Sequence, residues 1–280
     1  GALLLIGGAE DKVGSRTILR RFVQLAGGPT ARIAIMATAS ALFDYVSQRY
    51  ARLFMDLGVE HVETVRVRDR ADAMQPEPIE QLDRATGIFL TGGDQLKLTA
   101  MLGGTPVAAY LRQRHAAGAV IAGTSAGASA ATEHMLAYGV SGFPPRKAMM
   151  QFAPGLGLIS GVVIDQHFGA RSRAGRLMTA VAHNPDLLGI GLDEDTAIEI
   201  APNGMLTVIG RGSVMVVDGS NVTYTDIHRV PENVPIAIFG FVVHVLAHGY
   251  QYNMRTRTPH VPSPLPAAPP ELQGVEGEGI

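Results

Sequence analysis

Short apolar runs of strand length alternate with stretches of helix length through the first half of this chain, and that alternation limits its fold more than any other feature. Residues 2–6, 32–37, 62–67, 87–90 and 120–122 read as strands, with residues 43–57 and 105–117 among the helices between them. A βαβ succession of this kind implies an α/β fold, a mainly parallel sheet flanked by helices on both faces. In such sheets the chemistry gathers at the carboxyl ends of the strands. Four segments occupy those ends: Gly7-Gly8-Ala9-Glu10-Asp11-Lys12, Thr91-Gly92-Gly93-Asp94-Gln95, Gly123-Thr124-Ser125-Ala126-Gly127 and Asp165-Gln166-His167. From about residue 188 the texture changes to strands separated by the turn signals Pro202-Asn203-Gly204 and Asp218-Gly219-Ser220-Asn221, which read as antiparallel hairpins added to the same domain. Residues 1–258 are therefore expected to form a single α/β domain. Residues 259–280 contain six prolines and no Lys or Arg, the composition of a flexible or extended tail.

Gly123-Thr124-Ser125-Ala126-Gly127 follows the apolar run Ala119-Val120-Ile121-Ala122 and opens an alanine-rich stretch. Small residues on both sides of Ser125 permit the tight strand-to-helix turn of a nucleophile elbow, which lifts one hydroxyl out of the sheet beside the free N–H groups of a helix start. The same serine also suits a plain helix N-cap.

Composition excludes several classes of function. With 46% hydrophobic and 17% charged residues, the 280-residue chain has the balance of an ordinary globular protein able to bury a large core. A formal net charge of −2 and the lack of a long basic run argue against nucleic acid as a partner. The longest apolar stretches are far shorter than the roughly 20 residues of a membrane helix. With no cysteine there is no disulfide, thiolate metal site or cysteine nucleophile, which suits the cytoplasm and leaves secretion open. The start at Gly1, without a methionine, fits removal of an upstream segment.

An elbow serine needs a base, and nine histidines are available. His167 ends the strand-like run Val162-Val163-Ile164, expected in the same sheet as the elbow. His61, His115 and His183 lie at helix ends or in surface-like contexts, and His244 and His248 lie in a late apolar segment. For the acid, Gly191-Leu192-Asp193-Glu194-Asp195-Thr196 offers three adjacent carboxylates after another apolar run, and Glu194 is the choice among them. A solvated acidic turn is the competing reading. The resulting order Ser, His, Glu differs from the Ser, acid, His order of the α/β-hydrolases.

Taken together, these motifs, with Arg171, Arg173 and Gly175-Arg176-Leu177 following Asp165-Gln166-His167-Phe168, resemble the cyanophycinases over about the first 200 residues. The resemblance implies a serine peptidase related to peptidase E, on the fold of class I glutamine amidotransferase domains. It implies an exopeptidase that hydrolyses cyanophycin, a polyaspartate backbone with an arginine on each β-carboxyl, to β-Asp-Arg dipeptides, and it implies a homodimer. It assigns Ser125 as nucleophile, His167 as base and Glu194 as acid, in agreement with the reading from the residues.

Such a mechanism needs donors for the tetrahedral oxygen. The N–H of Ala126 and one from Gly92 or Gly93 are the candidates, since glycine lets backbone approach a substrate closely. A substrate of this kind asks for both signs of charge. Arg171, Arg173 and Arg176 are expected to engage carboxylate or carbonyl oxygens, with Lys12 beside them in the substrate site. Glu10, Asp11, Asp165, Asp193 and Asp94 are expected to line the same site, the first four meeting substrate arginines, while Gln95 and Gln166 bind amide groups. No cofactor is called for, and no metal, because the histidines and carboxylates lack a ligand spacing such as H-E-x-x-H. The expected partner is cyanophycin or β-aspartyl peptides. A peptidase E-like aspartyl dipeptidase and a non-catalytic binding module are the alternatives.

Overall fold

The computed structural model describes residues 1–267 and 269. Five strands, β1 (Leu3–Ile6), β2 (Arg32–Met36), β3 (His61–Thr64), β4 (Gly87–Leu90) and β5 (Val120–Thr124), form the parallel half of a nine-stranded sheet in the spatial order β1-β5-β4-β2-β3. Every residue of β1, β4 and β5 is buried, as expected of strands covered on both faces. Successive β1 side chains alternate between two cores. Leu4 and Ile6 pack with helices α1 (Thr17–Leu25) and α2 (Phe43–Asp56), while Leu3 and Leu5 face α3 (Glu77–Asp83), α4 (Gln95–Leu102), α5 (Pro106–Ala116) and α6 (Ala126–Ala130).

After β5 the chain builds a ribbon from β6 (His134–Gly139) and β7 (Met150–Pro154), then β8 (Val162–Asp165), helix α7 (Ala174–His183) and β9 (Leu188–Leu192). β8 does not join the sheet that carries the elbow, which corrects the expectation that the two share one. It pairs in parallel with β9 in a second, four-stranded sheet. This sheet packs on the face of the first that bears α6: Ile164 and Ile190 share a core with Leu3, Leu5 and Ile121, while Val163 points the other way toward Leu177 and Val181 of α7. The strand is thus covered by a sheet on one side and a helix on the other, so its uninterrupted apolar run carries no mark of which sheet it enters.

The antiparallel strands expected after residue 188 are present. β10 (Thr196–Ile200) pairs antiparallel with β1 and continues the large sheet into β11 (Met205–Gly210), across the Pro202-Asn203-Gly204 turn. β12 (Val214–Asp218) returns to the second sheet beside β9. The turn at Asp218 does not close a tight hairpin. It opens an excursion through a small ribbon, β13 (Tyr224–Thr225) with β14 (Ile238–Phe239), before β15 (Val242–Leu246) pairs with β12. Finally β16 (Gln251–Asn253) and β17 (Thr258–His260) complete the large sheet, so its edge runs into the stretch expected as a tail. The rest of the expected tail, residues 268 and 270–280, lies outside the described residues.

Residues 193–195, between β9 and β10, carry the chain from one sheet to the other. The segments that follow β1 in one sheet and β8 in the other meet this linker, the Asp195 N–H donating to the Gly8 carbonyl and Glu194 lying against His167.

Candidate active site

Ser125 stands between β5 and α6 with φ 52° and ψ −109°, a backbone conformation that costs a non-glycine residue about 1–3 kcal/mol and persists only where the surroundings impose it. They do so here. Its N–H donates to the Ile6 carbonyl at 3.0 Å. On either side the chain has room for hydrogen alone: a Cβ at Gly123 would sit 2.5 Å from the Gly127 backbone, and one at Gly127 would sit 2.5 Å from the Leu90 carbonyl oxygen. Although Ser125 holds the N-cap position of α6, its side chain makes no capping hydrogen bond. Instead Ser125 Oγ lies 2.9 Å from His167 Nε2 and 3.4 Å from Gln166 Oε1.

His167, just beyond β8, is tied to β1's turn by its N–H, which donates to the Gly7 carbonyl at 2.8 Å. Its Nδ1 lies 2.6 Å from Glu194 Oε1. A carboxylate at that distance assigns the ring proton to Nδ1, which leaves Nε2 to accept the Ser125 hydroxyl proton. Burial pulls the imidazole below its ordinary pKa, against the hydrogen bond to Glu194, and the positive charges of Arg171 and Arg173 lower it further. The ring is thus kept neutral and basic at neutral pH. It lies so close to Gly8 (φ +96°) that a Cβ there would meet His167 Cε1 at 2.4 Å.

The three adjacent carboxylates separate into three roles. Glu194 meets His167, while Asp193 accepts the Gly169 N–H at 2.9 Å and the Ser213 N–H and hydroxyl at 3.0 and 2.8 Å. Asp195 accepts the Asp11 N–H at 2.7 Å. Beside the serine, a Cβ at Gly92 would come within 3.3 Å of Ser125 Cβ. The N–H groups of Gly92, Gly93 and Ala126 make no hydrogen bond among the described residues. Neutral base, oriented hydroxyl and free donors suit the arrangement to nucleophilic acyl transfer.

Much of the expected polar lining turns inward, because its charges are already matched within the fold. Glu10 is buried and accepts from the Tyr50 hydroxyl, from Thr124 Oγ1 at 2.6 Å and from Lys12 Nζ at 2.9 Å, which removes Glu10 from the expected substrate contacts. Asp11 folds its own loop. Burial works to raise its pKa, but hydrogen bonds from the Arg16, Val13 and Gly14 N–H groups and from Ser15 outweigh that and hold it at about 2. Asp165 pairs with Arg176, whose Nε lies 2.6 Å from Oδ2, and with Arg173 at 3.3 Å, all three side chains being buried. Burial draws the Arg173 pKa down to about 10, which leaves it cationic at neutral pH, and it also donates to the Gln166 carbonyl. Asp94 caps α4 through the Leu96 and Lys97 N–H groups, and Gln95 donates to the Leu136 and Ala137 carbonyls. Arg171 is exposed and its charge acts on His167, and the Gln166 amide oxygen lies 3.4 Å from the serine hydroxyl. Tyr50 and Thr124 were not singled out in the sequence; only the tyrosine's buried helical position and the threonine's place next to the nucleophile mark them. Among the described residues no three His, Cys, Asp or Glu side chains gather to hold a metal ion, and no helix is long and apolar enough to cross a membrane.

Comparison with known proteins bears on this geometry. A protein named cyanophycinase from Synechococcus elongatus is 44% identical over 257 residues, covering 91% of this chain and 80% of that relative. Another of that name, from Trichormus variabilis, is 44% identical over 258 residues, covering 92% of this chain and 87% of the relative. The solved structure of a peptidase from an acI-B1 Actinobacterium superposes with a TM-score of 0.68 at 22% identity, covering 91% of this chain and 97% of that one, a likeness of fold. The profile of peptidase family S51 spans residues 3–208, from the first residue of β1 through Ser125, His167 and Glu194 into β11, and the chain belongs to that family.

Proposed function

We propose that residues 1–258 work as a serine exopeptidase that hydrolyses cyanophycin to β-Asp-Arg dipeptides through an acyl-enzyme on Ser125. The observation that carries this reading is the relay Ser125 Oγ to His167 Nε2 at 2.9 Å and His167 Nδ1 to Glu194 at 2.6 Å. The 44% identity to cyanophycinases over nine tenths of the chain supports the substrate.

In the reaction, His167 Nε2 takes the Ser125 proton as Oγ attacks an aspartyl carbonyl carbon. The tetrahedral oxygen receives the N–H of Ala126 and one from Gly92 or Gly93, each such donor contributing about 3 kcal/mol to transition-state stabilisation. The imidazolium, held by Glu194, then protonates the leaving amine as the C–N bond breaks. Water attacks the acyl-enzyme by the same route and restores the serine. Arg171 is the cation available to a substrate carboxylate, and Gln166 the amide available to its backbone. The reading also includes a homodimer and a cytoplasmic place of action.

The test is incubation of purified protein with insoluble cyanophycin, with products followed by mass spectrometry beside Ser125→Ala. The expected result is β-Asp-Arg from the wild type and a loss of about 10⁴-fold or more in the variant. Turnover of Asp-X dipeptides with no release from the polymer would replace the substrate by that of a peptidase E-like aspartyl dipeptidase. Silence on both, with no labelling of Ser125 by a serine-directed phosphonate, would overturn the enzymatic reading.

A further inference from the structure

We infer that Glu10 is a positioning residue for this site, whose buried carboxylate locks the turn after β1 that holds all three members of the relay in register. The inference rests on the reading of Ser125, His167 and Glu194 as catalytic. Three consecutive carbonyls make the attachments. Ile6 O accepts the Ser125 N–H at 3.0 Å, Gly7 O accepts the His167 N–H at 2.8 Å, and Gly8 O accepts the N–H of Asp195, the neighbour of Glu194, at 2.9 Å. One short stretch of backbone therefore gathers the end of β5, the end of β8 and the linker between the two sheets.

Carbonyls of an extended strand alternate in direction, so three in succession reach three segments only where the chain leaves the extended form. Gly8 at φ 96° and Ala9 at φ 50° mark that departure. The left-handed Ala9 is a strained position that its surroundings must impose. Glu10, the next residue, supplies the restraint. Its side chain is 1% exposed, Oε2 accepts Thr124 Oγ1 at 2.6 Å, and Oε1 takes Lys12 Nζ at 2.9 Å together with the Tyr50 hydroxyl. Burial, followed by the charge of Glu10, pushes the Tyr50 pKa well up, so the phenol is the donor in that pair. The carboxylate thus fastens the turn to α2 on one side and to the residue preceding the nucleophile on the other.

A buried ion pair is a poor way to gain stability, since apolar residues of similar volume serve as well or better. Geometry is what this one supplies, and displacement of a reacting group by about 1 Å is enough to cost on the order of 100-fold in rate. Glu10→Gln keeps the shape but turns one acceptor into a donor facing Thr124, Tyr50 or Lys12.

The experiment measures kcat and KM on soluble β-Asp-Arg oligomers, the rate of Ser125 labelling by a serine-directed phosphonate, and Tm, for the wild type, Glu10→Gln, Thr124→Val, the double variant and Glu199→Gln. Glu199 pairs with Arg21 at 2.7 Å elsewhere in the large sheet and controls for the loss of an ion pair as such. Expected are a fall in kcat and labelling rate of about 10–100-fold in Glu10→Gln with KM within about threefold, a fall in the same direction in Thr124→Val, and a double variant no slower than the slower single, because the two act through one contact. Glu199→Gln should change Tm alone. Should Glu10→Gln fail to fold, Thr124→Val decides by the same readouts. The inference is overturned by an active, labelled wild type whose Glu10→Gln or Thr124→Val variant keeps kcat within about twofold, or by losses that multiply in the double variant. A wild type that neither labels nor turns over sinks the serine-peptidase reading itself, a separate result.

Discussion

Among the described residues Asp165 is the sole carboxylate paired with two buried guanidiniums, and its replacement by asparagine tests how the base is supported. Its side chain is 1% exposed, those of Arg173 and Arg176 are 8% and 5% exposed, and both guanidiniums lie within hydrogen-bonding distance of the Asp165 carboxylate. Asparagine keeps the volume and removes the charge, so both cations stay buried without a counter-ion. Breaking a buried pair in this way costs about 3–5 kcal/mol. At about 2.1 cal/mol/K per residue, 280 residues lose about 1.7 °C of Tm per kcal/mol, so Asp165→Asn should melt about 5–9 °C lower. Differential scanning calorimetry and urea titration at pH 7 measure the loss independently. Because Arg173 also donates to the carbonyl of Gln166, one residue before His167, turnover should fall as well. A variant within about 1 kcal/mol of the wild type would refute the reasoning, since it would mean that the guanidiniums find water or other acceptors and that the pair does not hold the end of β8.

Three further outcomes follow from the site. Imidazolium cannot act as base, so kcat/KM should fall as pH drops through the His167 pKa, and because burial lowers that pKa the acid limb should lie below the ordinary histidine range near 6.5. Arg171→Gln removes a cation that disfavours the imidazolium, so the limb should move to higher pH; a pH–rate profile that stays in place would contradict the assignment of Arg171. Gly127→Ala places a methyl group 2.5 Å from the Leu90 carbonyl oxygen, so α6 must shift. A loss of about 1–3 kcal/mol in urea titration and slower phosphonate labelling of Ser125 are expected.

How legible the molecule was varies with the range of the interactions involved. The strands β1, β4 and β5 are uninterrupted apolar runs that end in glycine-rich turns, and the elbow needs small residues within two positions of Ser125, so both could be read locally. The place after an apolar run marks the cluster Asp193-Glu194-Asp195 but does not separate its three acids, and Asp193 and Asp195 take up anchoring roles whose partners, Ser213 and Asp11, are remote in the chain. Glu10 and Asp165 looked like substrate contacts because each is an acid at a strand's carboxyl end. Tyr50, Thr124, Arg173 and Arg176 reverse that reading, and nothing near the acids in the sequence shows that these side chains would arrive.

By itself the sequence determined the α/β architecture, the helix-covered parallel strands and the strained turn at Ser125, because side-chain periodicity and backbone freedom act between neighbours along the chain. Only the tertiary structure decided that His167 comes from a second sheet, that residues 193–195 cross between the two, and that one turn after β1 holds all three segments together. An apolar strand is equally buried in either sheet, and a buried charge takes whichever partner the packing brings to it. Pairing across separations such as the 114 residues between Glu10 and Thr124 is settled by the closed fold as a whole.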